Sequence, residues 1–174
     1  MTKISIIGAA GTLGAAIAFQ MANKEKVRKI CLIDIDKNLL KNHLMDLQNA
    51  YPDKNIYIGD YAELRNSTII IISAGVPNRN NISNRNVFLK GNLSLFKEFG
   101  EKIRKYSPDS LIVTVSNPVD LLNYYLYKEF RFSRKQLIGY TMNDSLRFEW
   151  ALREVLYLYD DKIVAPVLGE HGET

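Results

Sequence analysis

Three glycines in Gly8-Ala9-Ala10-Gly11-Thr12-Leu13-Gly14 follow the apolar run Ile4 to Ile7 and open a segment of helical period. The chemistry offered there belongs to the backbone. Glycines permit a tight turn and a close approach of the main chain, and the N–H groups and positive dipole end of a helix favour a phosphate anion. The spacing is G-x-x-G-x-x-G, one residue longer than the usual dinucleotide loop, and alone it fits a packing turn equally well. Asp34 changes that balance, because it stands twenty positions after Gly14 at the end of a second apolar run. A carboxylate there accepts hydrogen bonds from ribose hydroxyls and repels a ribose 2′-phosphate. Gly8, Gly11, Gly14 and Asp34 together therefore read as a site for NAD rather than NADP. The competing role for Asp34 is a helix cap with no ligand.

A second group of reactive types lies near the far end. In Gly169-Glu170-His171-Gly172-Glu173-Thr174 an imidazole stands next to glycine after the apolar run Ile163 to Leu168, where a ligand has room to approach. Imidazole gives and takes a proton near neutral pH, although a lone histidine is more often structural. Upstream, Asn143-Asp144-Ser145-Leu146-Arg147-Phe148 opens a predicted helix and puts Asp144 and Arg147 three apart, on neighbouring positions of one face. By themselves these two read as a surface ion pair. Set beside His171 they supply what a 2-hydroxy acid requires: a carboxylate to orient and charge-stabilise an imidazole, and a guanidinium to grip a substrate carboxylate.

Other chemistries lack their motifs. There is no G-x-x-x-x-G-K-[ST] for nucleotide hydrolysis and no G-x-S-x-G for serine-esterase chemistry. Tyr124 and Lys128 match the Y-x-x-x-K pair of short-chain dehydrogenases, some of which share the longer glycine spacing. A tyrosine and a lysine four apart on a Tyr-rich helix also arise easily by chance.

These residues need a scaffold. Apolar, β-branched runs at Ile4 to Ile7, Ile30 to Ile33, Ile56 to Ile58, Ile69 to Ile72 and Leu111 to Val115 read as strands, with weaker ones at Leu137-Ile138 and Ile163 to Val167. Ile69 to Ile72 and Leu111 to Val115 are apolar at consecutive positions, as in strands covered on both faces. Helical period marks Leu13 to Asn23, Asn38 to Ala50, Val87 to Tyr106, Leu121 to Phe130 and Ser145 to Tyr157. Asp36 suits the cap of the second of these helices, and Pro118 and Asp120 the start of the fourth. Alternating strands and helices predict an α/β fold with a doubly wound, mostly parallel sheet, the Rossmann arrangement, whose ligand site lies at the carboxyl ends of the strands. Residues 1–142 are expected to form the dinucleotide-binding domain. Residues 143–174 read as a helix and strand leading into a catalytic domain that is otherwise absent.

Composition narrows the class. The chain has 174 residues, 47% of them hydrophobic and 24% charged, which suits a soluble globular domain. The net charge of +4 is scattered, without the basic stripe and interleaved aromatics of a nucleic-acid binder. Cys31 is the only cysteine and sits in an apolar run, where it packs as a small hydrophobe; with His43 and His171 the only histidines, no metal site is expected. Ile4 to Ala22 superficially resembles a secretory leader, but its three glycines belong to a strand-turn-helix pattern. No apolar run reaches the length of about 18 residues that a membrane span needs, so a cytoplasmic protein without membrane partners is expected.

Met45-Asp46-Leu47, Ser73-Ala74-Gly75-Val76-Pro77, Val115-Ser116-Asn117-Pro118-Val119-Asp120, Asp144-x-x-Arg147-Phe148 and Gly169-Glu170-His171-Gly172 follow the glycine loop in order. With them the sequence resembles the lactate/malate dehydrogenase family along essentially its whole length. The resemblance implies that His171 is the proton donor and acceptor, Asp144 its partner, and Arg147 the ligand of the substrate carboxylate. Asn117 is implied to hold the substrate and the nicotinamide end of the cofactor. It also implies that Arg85 closes over the substrate and polarises its carbonyl, with Asn78 to Asn86 as a mobile lid.

Between Pro77 and Arg85 the chain carries one residue more than the common family loop, which leaves Asn78 or Arg79 at the position that selects the substrate. With Arg79 there, the resemblance implies malate and oxaloacetate, and otherwise lactate and pyruvate. Family members continue past the histidine, so this piece is expected to be truncated and of doubtful turnover by itself, and a homo-oligomer when full length. The alternative from another class is a dinucleotide-binding module without catalysis.

Overall fold

The computed structural model describes residues 2–76, 85–159 and 162–169; within the helix that begins at Arg85, the side chains of residues 85–88 lie outside that description. Contacts divide the chain into two units, residues 1–139 and 140–174.

The first unit is a parallel sheet covered on both faces. Its strands are β1 (Thr2–Ile7), β2 (Val27–Ile33), β3 (Asn55–Ile58), β4 (Ile69–Ile72), β5 (Leu111–Thr114) and β6 (Leu137–Gly139), in the spatial order β3-β2-β1-β4-β5-β6. Every pairing is parallel. The order reverses between β1 and β4, the place where an open α/β sheet leaves a crevice at its strand ends. Helices α1 (Thr12–Ala22), α2 (Lys37–Ala50), α3 (Arg85–Tyr106) and α4 (Val119–Phe130) make the crossovers.

Side-chain alternation explains why β4 and most of β5 are apolar at consecutive positions. Ile4, Ile6, Ile30, Leu32 and Ile71 pack with Ala18 and Ala22 of α1 and Leu40 and Leu47 of α2. The intervening Ile7, Cys31, Ile33, Ile70, Ile72 and Ile112 pack with Phe96, Phe99 and Ile103 of α3 and Leu122 and Leu126 of α4. Strands β1 to β5 thus load both faces in turn, and each fully buried isoleucine or leucine contributes about 2–3 kcal/mol of hydrophobic stabilisation. Cys31 is one of these buried side chains, and burial pushes its thiol up to about 11, which keeps it protonated and unreactive.

A buried polar patch accompanies the core. The Lys3 ammonium donates to the carbonyls of Glu63 and Arg65, the latter at 2.8 Å, and so satisfies the end of the short 3-10 turn Tyr61–Leu64. Burial lowers its pKa. Ser5 and Ser67 share a hydroxyl hydrogen bond of 2.7 Å behind it.

The helices begin where capping chemistry allows. Asp36 accepts the N–H of Leu39 through Oδ1 at 3.0 Å and caps α2, as its sequence position predicts. Pro118 stands at the N-cap of α4 with Asp120 in the first turn. The start of α3 at Arg85 places the last two residues of the expected lid, Arg85 and Asn86, in a helix; residues 77–84 lie outside the described residues.

The second unit consists of α5 (Asn143–Leu156) and an extended strap, residues 162–168. The strand expected at Ile163 to Val167 is not formed. A strand exists only through a paired neighbour, and here the strap is bonded to helix side chains instead. The N–H of Ala165 donates to Glu149 Oε1 at 3.2 Å, and that of Val167 to Ser145 Oγ at 3.0 Å. Pro166 between them has no N–H to offer a ladder.

Among the described residues no helix is long and apolar enough to cross a membrane, and no group of histidine, cysteine and acidic side chains is arranged to hold a metal ion.

Candidate functional site

The turn between β1 and α1 is fixed by its backbone bonds. The N–H groups of Gly8 and Ala9 both donate to Ile33 O, at 2.9 and 3.2 Å, and Gly11 N–H donates to Gly8 O at 3.3 Å. Ala10 N–H donates to Asp34 Oδ2 at 2.8 Å, while Asp34 Oδ1 accepts from Asp36 N at 3.0 Å. Asp34 therefore stands against the glycine loop instead of capping α2, a role that Asp36 fills. Beyond these bonds come the amides of Thr12, Leu13 and Gly14, the first turn of α1. The intrahelical ladder starts only with Ala15 N–H to Gly11 O at 2.9 Å, and the N-cap Gly11 brings no capping side chain. Thr12 and Leu13 are exposed at this helix end, where their amides are open to a ligand, while Gly14 is buried against the turn.

The turn fits a pyrophosphate. Gly8 has φ +89°, and a Cβ there would lie 2.4 Å from Ala74 N, so only glycine serves. A Cβ on Gly14 would lie 2.0 Å from Gly8 O, which shows how tightly α1 is drawn onto the turn. Gly11 differs: its Cβ would meet nothing closer than Gly8 O at 3.5 Å. No protein packing requires the missing side chain, so its absence leaves an approach to the helix end.

Neighbouring strand ends are bonded into the same frame. Ser73 Oγ donates to Ile7 O and Gly8 O, each at 3.1 Å, and Ser116 Oγ donates to Ala74 O at 2.7 Å. The turn after β4 and the turn after β5 are joined by Asn92 of α3, a buried amide. Its Oδ1 accepts from Val76 N at 2.7 Å, and its Nδ2 donates to Asn117 O at 2.6 Å. Asn117, followed by a cis peptide to Pro118, thus has its backbone fixed and its side chain exposed at the carboxyl end of β5. Beside Asp34, Ile35 is 97% exposed, an apolar side chain held in solvent at the end of β2. Tyr61 lies within electrostatic reach of Asp34. Burial, with Glu98 and Asp34 adding negative charge, pushes its phenol up to about 12 and keeps it a neutral donor.

Gly8, Gly11, Gly14, Asp34 and Asn117 are therefore placed together at the carboxyl ends of the parallel strands. In the second unit Arg147 Nη1 lies 3.5 Å from Asp144 Oδ1 across one turn of α5, with the Arg147 side chain 76% exposed. Such an exposed pair contributes at most about 1 kcal/mol to stability. Tyr140 Oη donates to Asn143 Oδ1 at 3.2 Å just before it. His171 and Arg79 lie outside the described residues, as does the side chain of Arg85. Lys128 sits over the rings of Tyr124 and Tyr127, at 5.5 and 5.8 Å from their centroids, in a surface cation–π contact.

The sequence reading assigned no site role to Asn92, Ile35 or His43. Asn92 was detectable in principle: it continues the stripe of Phe96, Phe99 and Ile103, and an amide on a core-facing stripe signals an obligatory hydrogen bond.

Comparison with known proteins agrees with this geometry. The model of the lactate/malate dehydrogenase NAD-binding domain matches residues 2–139. A probable L-lactate dehydrogenase of Schizosaccharomyces pombe is 33% identical over 176 residues, covering 99% of this chain and 53% of that protein. The malate dehydrogenase of Aeropyrum pernix superposes with a TM-score of 0.87 at 29% identity, over 98% of this chain and 56% of its own. That of Archaeoglobus fulgidus, in complex with NADH, superposes with a TM-score of 0.80 at 30% identity, over 88% of this chain and 53% of its own. The chain spans about half the length of the relatives it matches. A family match that runs unbroken from β1 to β6, through the turn that leaves a helix end open beside Asp34, allows one conclusion: the chain belongs to the lactate/malate dehydrogenase family, and its residues 2–139 are that family's NAD-binding domain.

Proposed function

We propose that the protein is an NAD-dependent dehydrogenase of a small 2-hydroxy acid, with malate and oxaloacetate preferred over lactate and pyruvate. The observation that supports this most is the contact between Ala10 N–H and Asp34, which sets a ribose-binding carboxylate directly against a phosphate-binding turn. When bound, NAD accepts or supplies the hydride at the reactive carbon of the substrate.

The chain's own residues then do the following. The first-turn amides of α1 hold the pyrophosphate and Asp34 the adenosine ribose, while Ile35 offers an apolar surface to the adenine. Asn117 orients the nicotinamide end. Arg147 grips the substrate carboxylate with its planar guanidinium, and Asp144 steadies the imidazolium of His171, which takes the hydroxyl proton in oxidation and returns it in reduction. Arg85 polarises the substrate carbonyl. Arg79 pairs with the second carboxylate of a dicarboxylic substrate.

The test is 2-oxo-acid-dependent oxidation of NADH by a form as long as the relatives, compared with its Arg79→Gln variant. Leaving a buried carboxylate unpaired costs about 3 kcal/mol, so the variant loses about 100-fold in kcat/KM for oxaloacetate and changes less than about threefold for pyruvate. An unchanged ratio removes Arg79 from the pocket, and turnover with neither acid overturns the dehydrogenase reading.

A further inference from the structure

His43 lies on α2, half-buried, two turns into the helix, and its Nε2 is 3.1 Å from the carbonyl oxygen of Ala10. A carbonyl only accepts, so Nε2 carries the proton and donates. Both backbone polar groups of Ala10 are thus held by side chains: the N–H by Asp34 at 2.8 Å and the C=O by His43. These side chains come from the end of β2 and from the helix that follows it. Ala10 directly precedes Gly11 in the glycine turn, and its carbonyl opens the peptide that leads into Gly11 and the first turn of α1.

We propose that His43 is a positioning residue for the cofactor, acting through the Ala10 carbonyl to hold the turn in the one conformation that presents the α1 amides to a pyrophosphate. The proposal rests on the reading of this turn as the pyrophosphate site. Its physical basis is preorganisation. Gly8 and Gly11 leave the main chain many alternative conformations, and a ligand that needs one of them binds more weakly in proportion to how seldom it is populated. Asp34 alone cannot fix the turn, because rotation of the Ala10–Gly11 peptide leaves the Ala10 N–H bond intact. The imidazole restrains that peptide. It reaches the turn from α2, the helix whose first turn is set by Asp36, two residues after Asp34 and bonded to it through its N–H, so the ribose acid and the phosphate turn are braced by one element.

The experiment measures dissociation constants of NADH and of adenosine for the full chain, its His43→Ala variant and its His43→Gln variant. Adenosine carries the adenine and ribose of the cofactor without the pyrophosphate. Loss of one hydrogen bond that fixes the turn is expected to weaken NADH about fivefold in His43→Ala, leave adenosine within about twofold, and be reversed to within about twofold by His43→Gln, whose amide also donates. Unchanged NADH affinity in His43→Ala, an equal loss for adenosine, or failure of glutamine to restore binding each overturns the role of His43. Absence of NADH binding by the unsubstituted chain overturns the pyrophosphate reading beneath it, a separate result.

Discussion

Gly14→Val is expected to abolish cofactor binding while leaving a folded, less stable chain. A Cβ at this position would lie 2.0 Å from Gly8 O and 2.9 Å from Ala9 Cα, so α1 and the turn must separate by about 1 Å to admit it, beyond what a packed interior absorbs without strain. That separation withdraws the first-turn amides from the pyrophosphate. Each hydrogen bond to a charged group contributes about 1.5–3 kcal/mol, so losing two weakens NADH by at least about 100-fold. Strain of this kind costs about 1–3 kcal/mol of stability, a small part of what the two-faced core supplies. The measurements are NADH fluorescence titration and thermal unfolding by circular dichroism. Binding within a few-fold of the unsubstituted chain would show that the phosphates sit elsewhere.

His171→Asn carries the other large effect. In a form of the protein as long as its relatives, the substitution removes the group proposed to donate and accept the proton and keeps a side chain of polar character. Turnover is expected to fall about 10³-fold or more, with NADH affinity unchanged. The direction of the pH dependence follows from the same role. Reduction of the 2-oxo acid needs the imidazolium and declines as pH rises through its titration; oxidation of the 2-hydroxy acid needs the neutral ring and declines as pH falls. A variant that retains turnover, or a profile with both directions sloping alike, removes His171 from proton transfer.

What the sequence made legible follows the range of the forces involved. The glycine turn and Asp34 were readable because the requirement is local: a positive φ at Gly8, a crowded Gly14, and an acid one strand further on. The five helices were readable from their period and caps, to within two residues at their ends. The sheet was readable from strands apolar at consecutive positions, which only burial on both faces explains. Ile163 to Val167 misled because its composition is that of a strand, yet the bonds it makes go to Ser145 and Glu149 on α5, partners that no local pattern reveals. His43 was hidden for the same reason: it flanks the Leu40, Leu44, Leu47 stripe like any solvent-facing polar residue, and only the fold brings Ala10, thirty-three positions away, to its ring.

The dissociation constants of NADH and NADPH for the full chain decide the central claim, that Asp34 and the glycine turn form one NAD site. Bringing a 2′-phosphate against a carboxylate that already holds the loop costs about 2 kcal/mol or more, so NADH is predicted to bind at least about tenfold more tightly than NADPH. Equal affinities, or binding of neither, would contradict it.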